Sequence, residues 1–183
     1  MEITYDGSSS APTNAGIYAV TGTVADAIYK GSATGTLAIA QAPAAVTLND
    51  LAQAYEGTAR TVSATTEPPG LAVEITYDGS SFAPTNAGSY AVTGRVAEAN
   101  YAGETNGVLV VSKADQTIDF PALGGQIATN ELELAATASS GLPVSFVLVQ
   151  GPATLAGMGL SFTGAGEVAV AAQQDGDANW CPA

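Results

Sequence analysis

Glu2-Ile-Thr-Tyr-Asp-Gly-Ser-Ser-Ser-Ala-Pro-Thr-Asn-Ala-Gly-Ile-Tyr-Ala-Val-Thr-Gly-Thr-Val-Ala25 returns, nearly residue for residue, as Glu74-Ile-Thr-Tyr-Asp-Gly-Ser-Ser-Phe-Ala-Pro-Thr-Asn-Ala-Gly-Ser-Tyr-Ala-Val-Thr-Gly-Arg-Val-Ala97. The copies stand 72 residues apart, from Tyr5 to Tyr77, and the similarity extends over Met1–Gln41 and Val73–Lys113. Such a period marks a tandem array. An active site is normally built once, whereas a module copied along a chain serves as a spacer, a stalk or a repeated binding surface. The expected function is therefore not enzymatic.

The second copy shows what the module is made of. Residues 45–49 read as a strand, and 60–66 as another, with Val62 and Ala64 inward and Thr61, Ser63 and Thr65 outward. Pro68-Pro69-Gly70 forces a turn. Leu71 to Tyr77 puts Val73, Ile75 and Tyr77 on one face and Glu74 and Thr76 on the other, as in a half-buried antiparallel strand. Asp78-Gly79 ends it, the aspartate tying down the turn and the glycine accepting positive φ, as do Asp6-Gly7. Tyr90 to Val96 is a further alternating strand, Asn100-Tyr101-Ala102-Gly103 a turn, and Gly107 to Ser112 a closing strand. No segment has helical spacing. Six or so strands in about 70 residues predict a small β-sandwich.

The array then divides into 1–41, the C-terminal part of a repeat; 42–113, a complete repeat; and 114–183, a diverged module. In the last, Gly141-Leu-Pro-Val-Ser-Phe146 parallels Gly70-Leu-Ala-Val-Glu-Ile75, and Thr163-Gly-Ala-Gly-Glu-Val-Ala-Val170 parallels Thr85-Asn-Ala-Gly-Ser-Tyr-Ala-Val92. Ala178-Asn179-Trp180 falls where Ala99-Asn100-Tyr101 falls. The first module is expected to lack its opening strands and the third its closing strand, leaving unpaired edges; an excerpt of a longer array is the expected reading, and a subunit that borrows strands from neighbours in a filament the alternative. Ala42-Pro43 and Lys113-Ala114-Asp115 are short links, so a semi-rigid rod is expected.

Composition narrows the partners. Hydrophobic residues make up 46% of the 183 and charged residues 11%, enough apolar surface to fold and too little charge for disorder. No apolar run reaches the roughly 18 residues of a membrane-spanning helix, so no membrane insertion is expected. The net charge is −13 with four Lys and Arg, which argues against nucleic acid, bound chiefly through those residues. There is no histidine, and Cys181 stands alone, so an internal disulfide or a thiolate metal cage is excluded. Its one functional reading is an intermolecular disulfide. No cofactor is expected.

Other candidate constellations carry little. Gly157-Met-Gly159 and Gly164-Ala-Gly166 read as β-turns, since no helix follows and no P-loop lysine is present. Glu131 and Glu133 lie one residue apart on a strand without an identifiable acid and base pair. Asp175, Asp177 and Asn179 alternate as oxygen ligands for calcium do, but lack the glycine and distal glutamate of an EF-hand, and a solvated turn is the expected reading.

With Tyr-Asp-Gly, Ala-Pro-Thr-Asn-Ala-Gly-x-Tyr and Ala-Asn-Tyr in view, Met1 to Lys113 resembles the MBG family. These mostly-beta, glycine-rich modules, related to YDG modules, occur in arrays in large bacterial surface and secreted proteins. Residues 114–183 are similar to the bacterial immunoglobulin-like module that often follows such arrays. The resemblance implies an extracellular, adhesin-type stalk without catalytic residues. Asn86-Ala-Gly88-Ser-Tyr90-Ala-Val92 also has the shape of a tyrosine corner, with Val92 where an immunoglobulin's second cysteine would stand. Tyr18 and Tyr90 are then structural, each ring in the core and each hydroxyl on a backbone group, beside Gly16 and Gly88; Tyr5 and Tyr77 are structural too.

The expected partners are neighbouring modules or other copies of the chain, with a host-surface or matrix ligand unspecified. A filament built by strand complementation is the alternative, and a carbohydrate-binding module the third, with Phe82 and Trp180 as its candidate aromatics.

Overall fold

The computed structural model describes all residues, Met1–Ala183, and is all-β, with strands and turns and no helix. Two compact units are present. The first comprises residues 1–51, 61–83 and 90–109, and the second 52–60, 84–89 and 110–183, so the middle repeat contributes to both.

In the first unit, Glu2–Tyr5 pairs antiparallel with Gly16–Thr23, which pairs in turn with Ser32–Ile39. Val73–Tyr77 repeats the first pairing against Gly88–Val96, with Tyr77 opposite Val92 as Tyr5 is opposite Val20. One register is therefore used twice, as period-two burial demands. Ala45–Asn49 pairs antiparallel with Ser63–Glu67. Leu48 from this pair lies over Gly94 and Gly107: a β-carbon on Gly94 would stand 2.9 Å from Leu48 Cδ2, and one on Gly107 3.2 Å from Leu48 Cδ1. Glycine at both places lets one sheet close on the other, filling the space with leucine. Val62, Tyr77, Val92, Val96 and Leu109 are buried here.

In the second unit, Ala52–Ala54 runs parallel to the end of Glu104–Ser112. Glu131–Glu133, Gly159–Phe162 and Ala153–Ala156 form a three-stranded antiparallel sheet. Ser145–Gln150 pairs with Ala169–Gln173, and Ile118–Asp119 with Thr137–Ala138. Leu148 opposite Val170 and Ser145 opposite Gln173 reproduce the pairing of Tyr77 with Val92 and of Glu74 with Arg95. Leu134 and Leu160 are buried alongside Gln116 and Gln174, whose amides bond to each other at 2.5 Å.

Several element boundaries differ from expectation: the strand expected from Tyr90 begins at Gly88, and the turn expected at 100–103 contains a short strand, Tyr101–Ala102. The strand expected from Arg60 begins at Ser63, because the Val62 N–H is taken by the Tyr77 hydroxyl instead of a neighbouring strand. The strand expected from Leu71 begins at Val73, the residue before which the Pro68-Pro69-Gly70 turn is still unwinding, with Leu71 N bonded to Thr66 Oγ1. The closing strand starts at Glu104 rather than Gly107, since Gly107 sits inside the ladder under Leu48 and Leu51.

Candidate functional site: the junctions between repeats

The link after each repeat is hydrogen-bonded to a turn of the repeat that follows. Ala42–Pro43 lies parallel to Tyr101–Ala102, with Ala42 N donating to Asn100 O and Ala44 N to Ala102 O, both at 2.8 Å. One repeat later Ala114 bridges in parallel to Trp180: Ala114 N donates to Asn179 O at 2.9 Å, and Cys181 N to Ala114 O at 2.8 Å. At the first of these a β-carbon on Gly103 would fall 2.1 Å from Ala44 O. Only glycine admits the link so closely.

The same turn sends a side chain back to the repeat before it. Asn100 Oδ1 accepts the Ala15 N–H at 2.8 Å while its Nδ2 donates to Asn14 Oδ1 at 2.9 Å. Asn179 Oδ1 accepts the Ala87 N–H at 2.9 Å, and its Nδ2 donates to Asn86 Oδ1 at 3.3 Å. An asparagine amide suits this clasp because it carries an acceptor and a donor on one planar group. A third fastening accompanies each clasp. Gln41 Nε2 donates to Ala99 O at 2.9 Å, and Lys113 Nζ to Asp177 O at 2.5 Å.

The clasped backbone belongs to the tyrosine corners. Tyr18 donates its hydroxyl to Asn14 O at 2.9 Å, and its ring folds back over Gly16, where a β-carbon would meet the hydroxyl oxygen at 3.2 Å. Tyr18 and Tyr90 are half-buried, whereas Val92 is buried. Gly16 opens the strand that carries Tyr18, and Gly88 the strand that carries Tyr90 and Val92. Tyr77 is buried and accepts the Val62 N–H at 2.8 Å; Tyr5, at the same place in the first copy, is half-buried.

Both Tyr-Asp-Gly turns have the same wiring. Asp6 and Gly7 have φ of 46° and 84°, and Asp78 and Gly79 of 47° and 81°, the paired positive values of a type I′ hairpin turn. Each aspartate also reaches across the sheet: Asp6 Oδ1 accepts Ala19 N at 2.7 Å and Asp78 Oδ1 accepts Ala91 N at 2.8 Å. The carboxylate thus occupies an amide one step beyond the last ladder pair.

A family description, MBG domain, matches residues 1–43 and again residues 44–115. The chain belongs to the MBG domain family. No curated protein matches it. In the two MBG copies the corner asparagines, Asn14 and Asn86, are the receiving half of each clasp. The reaching half, Asn100 and Asn179, comes from the second copy and from 114–183.

The remaining candidates fall around these junctions or on open surface. Asp177 Oδ1 accepts Asn179 N at 2.7 Å and Trp180 N at 2.8 Å, and Asn179 Oδ1 is committed to Ala87, while Asp175 is exposed. Those three side chains therefore build a turn, and no cluster of acidic side chains able to hold a metal forms there. Trp180 stands edge-on to Tyr55, ring centroids 5.7 Å apart, leaving Phe82 as the exposed aromatic of the pair singled out for sugar contact, at 84%. Cys181 is half-buried and free, its carbonyl accepting Gln116 Nε2 at 2.6 Å. Glu131 and Glu133 both lie exposed on their strand. Gly157 turns a hairpin between Ala153–Ala156 and Gly159–Phe162.

Proposed function

We propose that this chain is a non-catalytic, extracellular segment of a bacterial surface or secreted protein, in which MBG copies and a diverged immunoglobulin-like module at 114–183 are held in sequence as a stalk. The observation that carries this reading is the clasp, built twice from the same residue types at both links between repeats. A chain whose modules served only as independent binders would need no side chain reaching back across each link. The sandwich packs Leu48 against glycine, and its polar side chains are spent on turns and corners. Membership of the MBG family supports the surface location.

Antibody raised against the chain, applied to intact producing cells and to fractionated culture, tests the proposal. Label on the cell surface or in the medium is expected. Label confined to the cytosol overturns it. A glycan array run with the wild type and Phe82→Ala tests the carbohydrate reading: no binding that depends on Phe82 is expected.

A further inference from the structure

Where this fold pairs its strands in parallel, it joins the start of a repeat to a late part of the same repeat. Ala42–Pro43 runs parallel to Tyr101–Ala102, and Ala52–Ala54 to Val110–Ser112, beyond which Tyr55 N donates to Ser112 O at 2.9 Å. Ala114 repeats the arrangement against Trp180 in the third module. The pairs in between, Ala45–Asn49 with Ser63–Glu67 and Val73–Tyr77 with Gly88–Val96, are antiparallel. Direction decides what tension does to a pair. Pulling on the two ends of a repeat draws the entering strand back toward its N-terminus and the leaving strand on toward its C-terminus. In a parallel pair these pulls oppose each other along one axis, so all bonds of the patch are strained together. In an antiparallel pair both pulls act at the same end, and the bonds open one at a time.

We propose that the middle repeat is a force-bearing module, its parallel patches acting as a clamp against tension applied along the chain. This deepens the stalk reading and rests on it, since a stalk anchored at one end and bound at the other carries load. At the entry patch three bonds share that load: Ala42 N to Asn100 O and Ala44 N to Ala102 O at 2.8 Å, and Gln41 Nε2 to Ala99 O at 2.9 Å. Gly103 lets the link lie close enough for them to form, as no β-carbon stands between it and Ala44 O. The exit patch is anchored by side chains. Leu109 and Val111 are 0% and 2% exposed, so the leaving strand cannot slide past Ala52–Ala54 without drawing both out of the core. A spacer that carried no load would be served as well by antiparallel ends.

Single-molecule stretching tests this by changing the direction of load on the same bonds. Handles at the two ends of the full chain shear the entry patch. A handle at the N-terminus and another on Ala97→Cys, an exposed position, in a Cys181→Ser background, pull both entry strands from their N-terminal sides and unzip it. In the end-to-end traces the middle repeat is recognised by a length gain of up to about 250 Å for its 72 residues. It is expected to open at roughly three times the force needed through Ala97, three bonds loaded together against one. Ala42→Pro removes one of the three donors at a position that Pro43 already holds extended, and is expected to lower the end-to-end force by about a third while the force through Ala97 holds. Equal forces in the two directions, a middle repeat that opens without a force peak, or an end-to-end force indifferent to Ala42→Pro overturns the proposal. None of these results bears on the stalk reading itself, which the antibody label decides separately: cytosolic label removes the stalk and its load together, whatever force the purified chain withstands.

Discussion

Tyr77 and Asp26 show how single side chains fix the backbone around them. Tyr77→Phe leaves the buried Val62 N–H without its acceptor, a loss of about 1–3 kcal/mol expected in urea unfolding. Tyr5→Phe, at the half-buried equivalent, is expected to stay within about 0.5 kcal/mol. Asp26 is held below its ordinary value of 3.8 by the N–H groups of Ile28 and then Tyr29, which bond the ionised carboxylate. Its folded pKa is the lower one, so the turn gains from ionisation at any pH above 3.8 and loses that gain as pH falls through the folded value. An NMR titration following Asp26 with the Ile28 and Tyr29 amides should give a midpoint below 3.8; one at or above it contradicts the turn geometry.

At the scale of strands, the alternation of Tyr77, Val92, Val96 and Leu109 was legible because burial on one face of a sheet imposes a period of two, and the same register recurs at Leu148 and Val170. The Asp-Gly turns were legible for a local reason, positive φ. The strand starts at Ser63 and Val73 were not, because they are set by the Tyr77 hydroxyl and by Thr66, partners lying outside the local pattern. Sheet packing supplies an internal control. Gly94→Ala pushes a β-carbon to 2.9 Å from Leu48 Cδ2 with Val46 and Val73 at 3.5 Å, and overpacking of this kind costs about 1–3 kcal/mol. Gly22, its equivalent in the first copy, has nothing within 4 Å, and Gly22→Ala is expected to be neutral or slightly stabilising in the same melts.

For the molecule as a whole, what joins repeat to repeat escaped the sequence reading. Asn100 and Asn179 stand in turns that already have a local explanation, and their partners lie 85 and 92 residues away, beyond any pattern a period can reveal. The one available signal was that asparagine recurs both in the Thr-Asn-Ala-Gly corner and in the Ala-Asn-aromatic turn of adjoining repeats. The central claim is that each junction is fastened by its own asparagine, and residue-resolved hydrogen exchange tests it directly on wild type, Asn100→Ala and Asn179→Ala. Ala15 and Ala87 should both be protected in the wild type, with Asn100→Ala releasing Ala15 alone and Asn179→Ala releasing Ala87 alone. Protection at either amide that survives loss of its asparagine contradicts the account.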